Sequence, residues 1–332
     1  MMEEKLLSIR GLSVKFPTKH GPVCAVNQIS FDLRQGEILG IVGESGSGKS
    51  VTVKSVMRLL PPPPAAEITG KILFCGENIL EMSSEQLCKM RGKDISMIFQ
   101  NPMSAFNPVL PVGRQIAEPL EFHEHLSEKE RMHRVAGLLK EVGISNPEYR
   151  ARQYPHEFSG GMLQRAMIAS GLICSPKVVL SDEPTTGLDV TIQAQIIRLV
   201  KELQKTRKTS WVWITHDLSL LAGFADRILV MYGGRIVEQA LVEDLYASPM
   251  HPYTQGMLQA IPSHLKEAPK TLYSIPGMPP DPKHLPAGCA FCERCGKCRP
   301  VCRQKPPQMT QVGNRHFVAC WQYQQTGDET DE

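Results

Sequence analysis

The sequence predicts an α/β fold, and three observations carry that expectation. The first is Gly43-Glu44-Ser45-Gly46-Ser47-Gly48-Lys49-Ser50, which fits the phosphate-loop pattern G-x-x-x-x-G-K-S/T without a mismatch. The second is its setting: the apolar run Ile38-Leu39-Gly40-Ile41-Val42 precedes it as a buried strand would, and Val53, Val56, Met57 and Leu60 follow at helical spacing. The third is a later apolar run, Val178-Val179-Leu180-Ser181, which ends in the adjacent carboxylates Asp182 and Glu183. In such a loop the glycines let successive backbone N–H groups curl round an anion, the helix behind offers its positive end, and a lysine reaches the outer phosphates. Ser50 is then the expected Mg²⁺ ligand.

Bulk properties narrow the classes. A chain of 332 residues has length for a large domain and an appendage, or for two domains. A net charge of +3 with no basic block argues against nucleic acid as a partner. Met1–Leu7 lacks the basic start and apolar core of a signal peptide, and no run of about 18 apolar residues occurs. A membrane is therefore expected to be reached only through partner proteins. Of the ten cysteines, Cys24, Cys75, Cys88 and Cys174 are scattered, while six fall between Cys289 and Cys320. A nucleotide-binding chain in a reducing compartment argues against a disulfide framework.

In chain order, Leu7-Ser8-Ile9, Leu12–Phe16 and Ile29–Leu33 alternate apolar with polar and predict an antiparallel β layer. Phe16 ends one of these strands, where an aromatic face is placed to stack on a base. Pro61–Pro64 is expected to stop the helix after the loop. Ile68–Phe74 and Ile95–Phe99 read as strands, the second leading into Gln100-Asn101-Pro102. From about residue 101 to 160 the character is helix and loop. His123, His125 and His133 with Glu121 and Glu124 lie there without the spacing of a closed metal site. Ser159-Gly160-Gly161 then opens a helix, with the serine as N-cap and a second anion-accepting helix end.

A buried strand ending in carboxylates is costly unless they meet a cation or move a proton. Asp182 is accordingly expected beside Mg²⁺, and Glu183 is placed to orient and deprotonate an attacking water. Thr186-Gly187-Leu188-Asp189 forms a turn, Ile192–Leu203 an amphipathic helix, and Trp211–Ile214 a strand followed by Thr215-His216-Asp217.

This ordered set resembles the ATP-binding subunit of ABC transporters over roughly residues 5 to 245. The resemblance implies a RecA-like core with an antiparallel β layer and a helical subdomain at about 101–160, within a nucleotide-binding domain of residues 1–245. It implies that Phe16 stacks on adenine and that Gly43 to Ser50, with Val51, bind ATP. Ser50, Gln100 and Asp182 hold Mg²⁺; Glu183, His216 and Gln100 serve hydrolysis. Two cassettes pair head to tail, so Ser159, Gly160 and Gly161 contact the ATP of a partner cassette, and Asp189 communicates across the pair. Phe158 and Met162 depart from the common form of that signature, and Gly187 replaces a more usual alanine.

Gln100–Pro108, Asp189–Gln195 and His251-Pro252-Tyr253-Thr254 are similar to the peptide and nickel importer branch, close to the dipeptide and oligopeptide import ATPases. That implies an ATPase peripheral to the cytoplasmic face of the membrane, a second and distinct ATPase subunit, two permeases and an extracellular or periplasmic binding protein. Peptide is the expected cargo, with nickel or a metallophore as the alternative. A soluble ABC ATPase acting on ribosomes or DNA is a further class, as is an iron-sulfur redox protein with a regulatory nucleotide site.

Residues 246–332 form the remaining expected domain, an oligopeptide-transporter-type, cysteine-rich extension. Pro276, Pro279, Pro280, Pro282 and Pro286 precede its cysteines, and a segment so poor in core residues needs a metal or cluster for stability. Cys292, Cys295, Cys298 and Cys302 match the ferredoxin run C-x₂-C-x₂-C-x₃-C, with Arg303 where a proline usually follows. The importer branch implies a different set, Cys289, Cys295, Cys302 and Cys320, holding a 4Fe-4S cluster in a Gly288-Cys289-x-Phe291-x-x-Arg294-Cys295 setting. A four-thiolate zinc site is the alternative.

Overall fold

The computed structural model describes residues 5–261 and 273–324. Residues 1–4, within the stretch read for a leader, and residues 262–272 and 325–332 of the expected extension lie outside the described residues. The chain divides into two compact units, one gathering Leu33–Ile38 and Asn78–Ile214, the other Leu7–Asp32, Leu39–Glu77 and the chain from Thr215.

In the first unit the strands Ile95–Ile98, Val178–Asp182 and Ser210–Thr215 lie parallel, with Ser96 opposite Val179 and Leu180 opposite Val212. The second and third are buried along their whole length, as apolar strands of a parallel sheet are when both faces are covered. The expected helical stretch contains Pro102–Ala105, Val112–His123, Glu128–Glu141 and Pro147–Arg150. Ser127 and Glu130 form a reciprocal capping box at the start of the third of these. Val112, Ile116 and Leu120 recur every four residues and are fully buried, so one stripe of that helix forms core. His123, from the histidine-rich stretch, spends its Nε2 on the Arg91 carbonyl at 2.8 Å.

In the second unit a four-stranded sheet runs in the order Val23–Arg34, Lys5–Phe16, Glu67–Phe74, Glu77–Asn78. The two short N-terminal strands expected from the sequence are one strand of 12 residues. Gly11 sits at φ 57 and the pairing slips between Arg10 and Ser13, so a bulge carries the strand past the glycine. The phosphate-loop helix, Lys49–Val56, stops ahead of the prolines expected to end it: Arg58 adopts a left-handed φ of 48, which terminates the helix first.

Ile38–Val42 lies parallel to Arg227–Tyr232, with Ile41 opposite Leu229. Gly233 and Gly234, both at positive φ, turn the chain back into Arg235–Leu241. That strand pairs antiparallel with His316–Val318, which pairs with Thr310–Gly313. The C-terminal segment thus adds a hairpin to the sheet of this unit, an addition that strands of three and four residues are too short to announce. No helix among the described residues is long and apolar enough to cross a membrane.

Candidate functional site

The second unit carries the phosphate loop. A Cβ on Gly43 would lie 2.2 Å from the Met231 carbonyl, and one on Gly48 would lie 2.4 Å from the Ala25 carbonyl at a φ of 98. No side chain fits at either place, so both glycines are fixed by close backbone approach. Ser47 Oγ is buried with no hydrogen-bond partner among the described residues. Lys49 is 4% exposed, and its Nζ donates to the carbonyls of Gly43 at 2.7 Å and Glu44 at 2.9 Å. The loop therefore presents an orphan hydroxyl, a buried ammonium and a helix N-terminus in eight consecutive residues, the chemistry of a polyphosphate cradle.

Phe16 is half-buried at the end of its strand, and His216 is exposed just after the strand Ser210–Thr215. His216 and Glu44 line one cavity of about 500 Å³ together with Asp217, Met257, Tyr273 and Arg294. A second cavity, of about 160 Å³, runs from Ser45–Ser47 to Pro279, Pro280, Pro282 and Leu285. Cys24 donates its N–H to the Pro282 carbonyl at 3.2 Å, anchoring the proline-rich segment there.

The first unit carries the carboxylates. Asp182 closes its strand at 4% exposure, and Glu183 follows at a φ of 46, in the left-handed region that glutamate rarely adopts. Glu183 Oε2 accepts from Gln100 Nε2 at 3.3 Å and from Thr186 Oγ1 at 3.0 Å. Gln100 and Glu183, 83 residues apart in sequence, thus meet in the fold. Asp189 caps the helix Val190–Arg207 through the Ile192 N–H at 2.9 Å. Ser159 caps Gly160–Leu172 through the Met162 N–H at 3.3 Å. A Cβ on Gly161 would stand 3.0 Å from Ile192 Cγ2, so this glycine permits close helix packing as well as leaving backbone open.

In the extension, Cys289, Cys292, Cys295, Cys298, Cys302 and Cys320 line one small cavity with Phe291 and Trp321. Cys292 and Cys298 stand at disulfide distance, against the expectation from a reducing compartment; the other four are free. A Cβ on Gly288 would lie 2.0 Å from the Cys302 carbonyl, which accepts the Cys289 N–H at 2.7 Å. Burial pushes the Cys289 thiol up to about 11, with the neighbouring thiols adding to it. Among the described residues no three His, Cys, Asp or Glu side chains are close enough to hold one metal ion, so the expected metal centre is not shown.

Sequence reasoning missed two residues that touch the loop. The Tyr253 hydroxyl accepts the Glu44 N–H, and Arg294 donates to the Glu44 carboxylate. Both lay in stretches quoted for the family resemblance, but only folding brings them to residue 44.

Fold and loop define a phosphate-loop nucleotide-binding protein. Residues 26–186 match the model of the family described as ABC transporter, and residues 237–302 match that described as oligopeptide/dipeptide transporter, C-terminal region. The chain is 46% identical over 316 residues to a probable peptide ABC transporter ATP-binding protein of Sinorhizobium fredii, covering 95% of this chain and 94% of that protein. It is 48% identical over 318 residues to the dipeptide transport ATP-binding protein DppD of Bacillus subtilis, covering 96% and 95%. Among solved structures, the dimeric structure of a bacterial ABC transporter cassette matches with a TM-score of 0.64 and 26% identity, covering 71% of this chain and 98% of that one. The chain belongs to the ABC transporter family and is one of its ATP-binding, ATP-hydrolysing subunits.

Proposed function

We propose that this ATPase energises import of dipeptides or oligopeptides. The observation that carries the reading is the joint presence of a cassette and a second segment, 237–302, matched to the oligopeptide/dipeptide transporter C-terminal region. In this reading residues 1–245 are the nucleotide-binding domain and 246–332 the extension. The chain sits at the cytoplasmic face of the membrane with two permeases, a substrate-binding protein and a second, distinct ATPase.

Within the cycle, Phe16 stacks on adenine while Lys49 and the backbone N–H groups of Gly43 to Val51 bind the phosphates. Ser50, Gln100 and Asp182 would hold Mg²⁺, which would supply charge neutralisation for the bound phosphates; their hydroxyl, amide and carboxylate oxygens are the hard donors that ion selects. Glu183 takes the proton of the attacking water, and Gln100, already bonded to it, orients that water. His216 steadies the γ-phosphate. Ser159, Gly160 and Gly161 close on the ATP of the partner cassette, and Asp189 relays its state. ATP binding favours the closed pair, so its differential affinity does the conformational work.

The extension is proposed to hold a 4Fe-4S cluster through Cys289, Cys295, Cys302 and Cys320. What supports this reading is that these four thiols are free and line one cavity. The cluster would supply cross-links to a segment with little core.

The deciding experiment is the ATPase rate of the assembled transporter with binding protein loaded with peptide or with nickel. Stimulation by the peptide-loaded form is expected. Stimulation by nickel alone would reassign the cargo, and strong activity indifferent to every binding protein would remove the importer role.

A further inference from the structure

The second residue of the phosphate loop is gripped from the C-terminal part of the chain. Its N–H donates to the Tyr253 hydroxyl at 2.9 Å, and its carboxylate accepts from Arg294 Nη1 at 2.8 Å. Arg294, with a side chain 7% exposed, is itself fixed: Nε donates to the Pro276 carbonyl at 2.9 Å, and Nη1 also to the Tyr232 hydroxyl at 3.1 Å. Its guanidinium lies 5.8 Å from the ring centroids of both Tyr232 and Phe291. Tyr253 is fully buried, its ring 4.6 Å from Tyr232 and 5.5 Å from Phe291. Neither partner of Glu44 can swing away without dismantling this aromatic cluster.

Lys49 holds the same peptide from the other side, through the carbonyls of Gly43 and Glu44. A bound phosphate must draw that ammonium off those carbonyls. A peptide anchored independently stays where it is when the lysine leaves, so the loop keeps its anion-binding shape. We infer that Tyr253 and Arg294 are positioning residues for ATP: through Glu44 they hold the phosphate loop, and the loop's affinity depends on the C-terminal extension. This rests on the reading of Gly43 to Ser50 as the ATP site.

The test uses the full chain in its assembled transporter, prepared anaerobically, with ATP Kd, KM, kcat and iron content measured for each variant. Tyr253→Phe removes one hydroxyl and keeps the ring cluster; Arg294→Gln removes the charge; Arg294→Lys returns it without the planar fork. Kd and KM for ATP are expected to rise about fivefold in the first two, the low end of site-to-site coupling, with kcat changed less and Arg294→Lys recovering part. Arg294→Gln combined with Glu44→Gln is expected to be no weaker than the weaker single variant, since both break one contact. Normal ATP affinity in Tyr253→Phe and Arg294→Gln, additive losses in the pair, or losses confined to variants that also shed iron would each overturn the inference. Lys49→Ala separates the two levels. If it abolishes binding while Tyr253→Phe and Arg294→Gln bind normally, the inference alone falls; if it too binds ATP normally, the phosphate-loop reading falls and takes the inference with it.

Discussion

At the scale of single residues, the site is built from backbone as much as from side chains. Gly48→Ala would force a Cβ to within 2.4 Å of the Ala25 carbonyl at a φ of 98, and is expected to cost roughly 1–3 kcal/mol in thermal unfolding while weakening ATP titration. Glu183→Gln is expected to keep ATP binding and to lower turnover by about a hundredfold or more, read as single-turnover hydrolysis in the assembled transporter; retained turnover would remove Glu183 as the base. The loop was legible in the sequence because its chemistry is packed into consecutive residues. The resemblance assigned Gln100 and Glu183 to hydrolysis without stating that they touch, and the positive φ of Glu183 had no sequence signal, since glutamate is not a residue that advertises it. Tyr253 and Arg294 were invisible as loop partners because no local pattern reports contacts 209 and 250 residues away.

At the scale of elements, one buried carboxylate joins three pieces of the second unit. Glu238, on the strand Arg235–Leu241, accepts from His316 Nε2 at 2.7 Å and from the N–H groups of Met250 and His251 at 2.7 and 2.9 Å. Burial works to raise its carboxyl, but the hydrogen bonds from His316 and those N–H groups outweigh it and hold it below the usual 4.5. Beside it, burial, opposed by the Glu238 charge, lowers His251 from 6.5 to about 4. Between those two values the unfolded chain binds a proton that the folded chain refuses, so stability falls as the pH drops through that window. Glu238 acts in the same direction at more acid pH, because the stability it lends is present above its unfolded value and lost as the pH falls through its folded one. Thermal unfolding from pH 7 to 4 should therefore show a falling midpoint, and His251→Asn, which can still cap the Tyr253 N–H, should flatten the slope above pH 4. An unaltered slope would take His251 out of the account. The long periodic helix Val190–Arg207 and the unbroken apolar run of Val178–Asp182 were legible; the continuous first strand and the C-terminal hairpin were not, because a bulge at Gly11 and very short strands leave too little pattern to count.

At the scale of the whole molecule, the extension is bound up with the nucleotide loop rather than appended to it. Under the proposed cluster, removing iron anaerobically by chelation is expected to lower the unfolding midpoint by roughly 5 °C or more and to speed amide exchange in residues 273–324; purified chain without iron would remove the cluster, and iron loss with neither change would leave it without a structural role. Cutting the chain at residue 245 would remove Tyr253 and Arg294 together with one wall of each cavity beside the loop. The second position of the phosphate-loop motif is written as any residue, which makes it look open to drift. Here its occupant answers to an arginine 250 positions later, so the two sites have one history: a lineage that neutralises one is expected to neutralise the other, and a graft that carries this loop without this tail carries half of an inherited pair.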